Sequence, residues 1–409
     1  MNEIERAECL LDAASSGNMN FTIIVAYRGE LKARNIKQAV AFLQAEHRLL
    51  RSTLQWTDQG CSFCETAAAV PLRTLPYQGF EQWRQVARED VGQRFAGQEL
   101  PLWRISWLNG IDEGQLLLTF HHAIADGVCG MQLVDQLFKA LEQLALGQRP
   151  EPLGVDSSHL LLDGLKGLST MAAEPEPEPA PREDRHLHTD YVLDHLDAAT
   201  SSAVIAWARS KGIRVHSVLF AALLLATRTV AGSDPPIVEA NTVVNFRPYL
   251  QPKLPRDAMR LTRVCVVTSV PMAAFDDLAT LAQFIHKDLY RQLEQGEHVR
   301  TVQRIMQRVK RGESGADLWR RARIPEHQLI LSNLGRIDWP GNYGRVSVER
   351  LFFIANVELI FDSPDNWLLG SLTYRNQLQL SLWYMKELVD ENTARAVLSE
   401  LRHLLTSLN

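Results

Sequence analysis

Apolar and polar positions change period repeatedly along this chain, and both periods of regular structure occur. From Ile36 to Glu46 the apolar residues Ile36, Val40 and Leu43, followed by His47, fall on one face at spacings of three and four, which predicts a helix. Trp103 to Leu108 alternates with a period of two, Asn109-Gly110 offers a turn, and Gln115 to Phe120 resumes the strand pattern. A hairpin through Asn109 to Gly114 is expected there. Beyond His122 the chain turns through Asp126-Gly127 into a helix with Val128, Met131, Val134, Leu137, Phe138, Leu141 and Leu144 on its inner stripe. The local order is strand, sharp loop, helix.

The later part of the chain continues the mixture. Ala198 to Lys211 reads as a helix ended by Gly212, and His216 to Thr229 as a buried helix. Strand-like segments follow at Ile237 to Val244, Val264 to Val270, Gln328 to Ser332, Leu351 to Leu359, Leu368 to Tyr374 and Gln377 to Trp383, before a final helix from Glu391 to Leu405. Helices and strands in both halves predict α/β or α+β layering and exclude a pure sandwich or bundle. No repeat with a solenoid or propeller period is visible.

Length and composition refine this. A chain of 409 residues predicts two or three domains at roughly 150 residues each. The clearest boundary is Glu174 to Pro181 (EPEPEPAP), which can neither pair in a sheet nor propagate a helix. We therefore expect an N-terminal unit at 1–173, a linker at 174–186 and a C-terminal unit at 187–409. The longest apolar run, Val218 to Ala226, is too short to span a bilayer, and the acidic N-terminus MNEIERAECL has no signal-peptide pattern. The expected location is the cytoplasm.

Charge and cysteines exclude further classes. A net charge of −5 disfavours a nucleic-acid binder held by phosphate contacts. Five cysteines, an odd number spread along the chain, do not form a secreted disulfide framework. Cys61 to Cys64 is a CxxC without a second ligand pair, so it reads as a β-turn or short hairpin and no metal site is expected.

The segment that carries chemistry is Phe120-His121-His122-Ala123-Ile124-Ala125-Asp126-Gly127. Adjacent histidines at a strand end point to opposite sides, so only one can address a given cavity. A neutral imidazole is suited to take a proton from a hydroxyl or amine, and Asp126 can hold the loop. From the residues alone three readings stand: a catalytic base, a structural His pair with an Asp-Gly turn, or half a metal site. The last lacks an HExxH motif or a Cys/His cluster, and serine-hydrolase chemistry lacks a G-x-S-x-G elbow.

HHAIADG resembles the HHxxxDG signature of the chloramphenicol acetyltransferase-like superfamily, which includes nonribosomal peptide condensation domains and polyketide-associated acyltransferases. Glu46 to Leu54 (EHRLLRSTL) resembles the RHExLRTxF segment of condensation domains, Asn245 to Leu250 (NFRPYL) the family's later strand end, and Ser332-Asn333-Leu334-Gly335 its S-N-x-G turn. The stand-alone length and FHHAIADGVCGMQLVDQLFKAL are most similar to the phthiocerol dimycocerosyl transferase type, and the plant-type DFGWG motif is missing.

The resemblance implies two similar subdomains, each a mixed sheet flanked by helices, meeting in a V with a central tunnel. His122 would be the general base that moves an acyl group from acyl carrier protein or acyl-CoA to a lipid or polyketide-type alcohol, with no cofactor and no acyl-enzyme. An amine acceptor, giving an amide, is the alternative, as is a non-catalytic carrier-binding module; the protein is expected to be a monomer. Asp126 would pair with Arg247 to shape the loop, supported by His121 and by Gly127, which lets the backbone turn toward the tunnel or simply enters the helix. Ser332 and Asn333 would line the tunnel or donate to the oxyanion, or simply form a turn before Gly335; Arg51 reads as a structural contact. Arg300 to Arg323 carries eight basic against two acidic residues. Through Arg304, Arg308 and Arg311 it would either dock an acidic donor or form a solvated helix face.

Overall fold

A computed structural model describes the chain except residues 16–18, 58–59, 96–98, 155–186, 233, 252, 322–326, 359 and 409. The first part contains α1 (Glu3–Ala14), β1 (Asn20–Arg28), α2 (Ala33–Glu46), β2 (Ser52–Thr57), β3 (Gly60–Glu65) and β4 (Leu72–Pro76). It continues through α3 (Trp83–Gly92), β5 (Trp103–Asn109), β6 (Glu113–His121) and α4 (Gly127–Ala145). The second part begins with β7 (Thr189–His195), α5 (Ala198–Ser210), α6 (Val215–Ala231), β8 (Val238–Asn245) and β9 (Arg263–Val270). Three helices follow, α7 (Leu278–Glu294), α8 (Glu297–Lys310) and α9 (Gly315–Arg321), then β10 (Gln328–Ile337), β11 (Asn342–Tyr343) and β12 (Val346–Ala355). The hairpin β13 (Trp367–Tyr374) and β14 (Gln377–Met385) leads to α10 (Glu391–Thr406).

These elements form two six-stranded mixed sheets flanked by helices, the α/β architecture expected, with strand orders β11-β12-β1-β6-β5-β4 and β7-β14-β13-β10-β8-β9. The expected linker at 174–186 lies outside the described residues. Dividing the sequence there does not divide the sheets: β11 and β12 come from the second part yet complete the first sheet. β12 runs antiparallel to β1, setting Ile354, Phe353 and Phe352 opposite Thr22, Ile23 and Ile24. It also ties to the second sheet, because Ser381 Oγ donates to the Phe353 carbonyl at 2.7 Å and the Tyr191 hydroxyl to that of Ala355 at 3.2 Å.

Two expectations need correction. The strand expected at Leu351 to Leu359 starts earlier and stops at Ala355, where Asn356 Oδ1 accepts the Glu358 N–H and turns the chain. Ser332 to Gly335 is no simple turn: β10 continues through it, pairing Ser332 with Gly370 and Asn333 with Ser371. The register slips only after Asn333, at Gly335, whose φ of +74° suits a bulge. The CxxC lies in β3, paired antiparallel with β2 as the short hairpin expected. Its odd spacing sends Cys61 inward and Cys64 out, so the two thiols do not share a face. No single helix among the described residues is long and apolar enough to cross a membrane. α6, the most apolar, is buried from Ser217 to Thr227 in the core of the second sheet.

Candidate active site

His121 is the last residue of β6, paired with Asn20 of β1 and fully buried; His122, one residue on, is half-buried. Beyond the strand, Ile124 and Ala125 donate backbone N–H bonds to the carbonyls of His121 and His122, closing one tight turn. His121 Nδ1 accepts the Ala123 N–H at 3.0 Å, as an inward-facing structural histidine should. The His122 ring stacks on Phe21 with centroids 4.5 Å apart, and its Nδ1 lies 3.2 Å from the Ala125 carbonyl. A carbonyl only accepts, so Nδ1 carries the proton and Nε2 keeps a lone pair. Among the described residues Nε2 has no hydrogen-bond partner. Burial, and then the nearby Arg263 guanidinium, hold the His122 imidazole well below its ordinary titration range. The ring is neutral at physiological pH.

Asp126 caps α4, its Oδ1 accepting the N–H groups of Val128 and Cys129 at 3.0 and 3.1 Å. The same carboxylate receives Arg247 Nη1, at 2.9 Å on Oδ1 and 2.7 Å on Oδ2, and Oδ2 also accepts the backbone N–H and hydroxyl of Thr262 at 2.9 and 2.6 Å. Arg247 Nη2 is spent on the carbonyls of Ala258 and Arg260, both at 3.1 Å. Burial pushes the Asp126 carboxyl up, but Arg247, Thr262 and the Cys129 N–H outweigh it and hold the group below the usual carboxylate range. The structure thus joins Asp126 and Arg247, 121 residues apart, into the pair that their motif positions suggested.

Gly127 is the first residue of α4, the helix entry that is one of its two expected readings, and it has a steric reason as well. It is an ordinary helical residue, and a Cβ there would come within 2.8 Å of Leu334 Cδ2. Its bareness admits β10 of the second part against the head of α4. Along β10, Ile330 and Leu334 pack with the core of the first sheet, whereas Leu329 and Leu331 pack with that of the second. By strand alternation Ser332 shares the face of Leu334, and Asn333 faces away, its Oδ1 accepting the Gly335 N–H at 2.8 Å. Beside this contact a cavity of about 160 Å³ opens between the two parts, lined among others by Val128, Gln132, Arg256, Leu334 and Trp339. His47, at the end of α2, is buried against α4, where Nε2 meets Gln136 Oε1 at 2.8 Å. Arg51 is structural as expected, donating to Glu65 and to the carbonyls of Gln44 and Ala45.

The basic stretch is less positive in space than along the chain. Glu297, three residues before it, pairs with both Arg300 and Arg304, and Lys310 Nζ lies 3.7 Å from Glu3 of α1. Arg308 also has a partner, and Arg311 is exposed at the end of α8. Arg323 and the side chains of Arg320 and Arg321 lie outside the described residues. Sequence reasoning missed Thr262, which completes the Asp126 site, as well as Arg263 and Phe21, which set the state and plane of His122. No motif marks them; Phe21 alone sits in a legible strand run, Phe21 to Tyr27.

Two family models match the chain: "Condensation domain" over residues 10–157 and "Phthiocerol/phthiodiolone dimycocerosyl transferase C-terminus" over 190–364. With the HHxxxDG loop, the Asp126–Arg247 pair and the two sheets, these matches make the chain similar to the condensation-domain superfamily of chloramphenicol acetyltransferase-like proteins. The polyketide-associated protein 5 of Mycobacterium tuberculosis shares the fold, at a TM-score of 0.70 and 16% identity over 98% of this chain and 96% of that one. So does the TRI3 trichothecene 15-O-acetyltransferase of Fusarium sporotrichioides, at 0.73 and 15% over 99% and 94%. A stretch of 156 residues is 26% identical to polyketide synthase PksN of Bacillus subtilis, covering 37% of this chain. The chain spans only 3% to 7% of the length of the curated relatives it matches.

Proposed function

We propose that the protein moves an acyl group from a thioester, carried on acyl carrier protein or CoA, to the hydroxyl of a lipid or polyketide-type acceptor, with His122 as general base. The observation that carries this reading is the state of His122: a neutral ring whose Nδ1–H is committed to Ala125, leaving the Nε2 lone pair free. Nε2 takes the hydroxyl proton as the oxygen attacks the thioester carbonyl, and the carbonyl electron pair moves onto oxygen. When the tetrahedral intermediate collapses the C–S bond breaks, and the thiolate takes the proton back from His122. Thiol and ester leave, and the ring is again neutral. Ser332, on the strand face turned toward the first part, is the hydroxyl we assign to the developing oxyanion. The names of the dimycocerosyl transferase model and the 15-O-acetyltransferase neighbour favour an ester. The condensation-domain match over 10–157 favours an amide, which the same base would serve.

The test is transfer of a labelled acyl group from CoA and from carrier protein to an alcohol and to an amine, comparing wild type with His122→Ala. Loss of roughly 10²- to 10⁴-fold in turnover is expected in the variant. The kcat/KM profile should stay flat through neutrality and fall only below the ordinary imidazole value of about 6.5, because the free enzyme holds the base deprotonated. Unaltered turnover in His122→Ala would sink the mechanism.

A further inference from the structure

Asp12 lies on α1, outside every motif described above, and is 2% exposed. Helical spacing sets Glu5, Glu8 and Asp12 near one another along α1. Glu5 Oε1 accepts Arg260 Nη1 at 2.8 Å, and Glu8 Oε1 accepts Arg263 Nη2 at 2.9 Å, so these two bind the second part of the chain. Asp12 instead addresses the catalytic loop, and does so twice. Its Oδ1 accepts the Met19 N–H at 3.0 Å, and the Met19 carbonyl accepts the His122 N–H at 2.8 Å. The same oxygen lies 3.4 Å from His121 Nε2. Because His121 Nδ1 accepts the Ala123 N–H, the His121 proton must sit on Nε2, the atom facing Asp12. Burial raises the Asp12 carboxyl, but His121, the Met19 N–H and Arg94 hold it below the usual carboxylate range, so it is an anion at neutral pH.

We propose that Asp12 is a positioning residue for acyl transfer: it holds His121 as the Nε2–H tautomer, and so fixes the turn from His121 to Ala125 whose last carbonyl orients His122. The proposal rests on the reading of His122 as base. Asp12 touches no substrate and acts through His121 and Met19, as outer partners of metal-bound histidines fix a tautomer. By that analogy Asp12→Leu should lower kcat about 10- to 100-fold with KM unchanged, and Asp12→Asn, which keeps an acceptor oxygen, should lose less.

The direct readout is the imidazole ¹⁵N spectrum of the full chain. Wild type should show His121 as the pure Nε2–H form, and Asp12→Leu a mixture of tautomers. If Asp12→Leu does not fold, a cycle of Asp12→Asn with His121→Gln replaces it: the two kcat losses should not add, since both act on one contact. An unchanged His121 tautomer in Asp12→Leu, or additive losses in the cycle, would overturn the proposal. Wild-type turnover in His122→Ala would instead refute the base itself, while the His121 spectrum still decides the Asp12 contact.

Discussion

At the head of α4, one carboxylate takes bonds from Arg247, Thr262 and two backbone N–H groups, with Asp126 and Arg247 each 3% exposed. Along α8, by contrast, the charges are half-buried or exposed, and Glu297 neutralises two of them from its own helix. The first group is conspicuous in space and scattered in sequence, the second conspicuous in sequence and diluted in space. A buried charge must find its partners or the fold fails, so its geometry is determined. An exposed charge is solvated whichever way it points, so its count along the chain says little about a surface.

The largest effect on this contrast should come from Arg247→Ala, which strands Asp126 in the seam. A loss of about 3–5 kcal/mol is expected in urea unfolding, whereas Arg247→Met combined with Asp126→Asn should recover part of it. Acid sharpens the point. Asp126 titrates below its unfolded value of about 3.9. The stability it contributes is therefore present above that value and lost as pH falls through the folded one. The gap between wild type and Arg247→Ala should accordingly narrow below about pH 4.

Gly127→Ala should cost less, about 1 kcal/mol, because the added methyl meets the mobile end of Leu334. Leu334→Ala in the same chain should relieve that clash, and additive losses of thermal stability would place the contact elsewhere. The smallest effect belongs to α8. Replacing Arg304, Arg308 and Arg311 by Gln should change stability by less than about 1 kcal/mol per exposed pair. Unchanged apparent donor affinity at low salt would remove the docking role of this stretch; a salt-dependent loss would restore it.

Much of the site is legible in the sequence. The hairpin and the strand-loop-helix order around His122 came from periodicity, and the Asp126–Arg247 pairing from motif positions. The opposite fates of His121 and His122 followed from strand alternation alone. β12 was less legible because its run Leu351 to Ala355 is apolar on both faces, and a doubly buried strand carries no period that says which sheet it joins. Asp12, Thr262 and Arg263 were invisible for a related reason: single polar residues become meaningful only through the group they meet.

What the chain determines by itself is local, namely where strands and helices form, that adjacent imidazoles face opposite sides, and that the chain turns through Asp126-Gly127 into a helix. Those outcomes depend on neighbours within a few residues, which the sequence lists in order. Only the tertiary structure decided that β12 completes the first sheet, that Leu334 claims the space at Gly127, and that the basic stretch is partly neutralised. Each depends on which distant surfaces are buried together, and burial is what turns a polar side chain from a solvated group into one that must be paired.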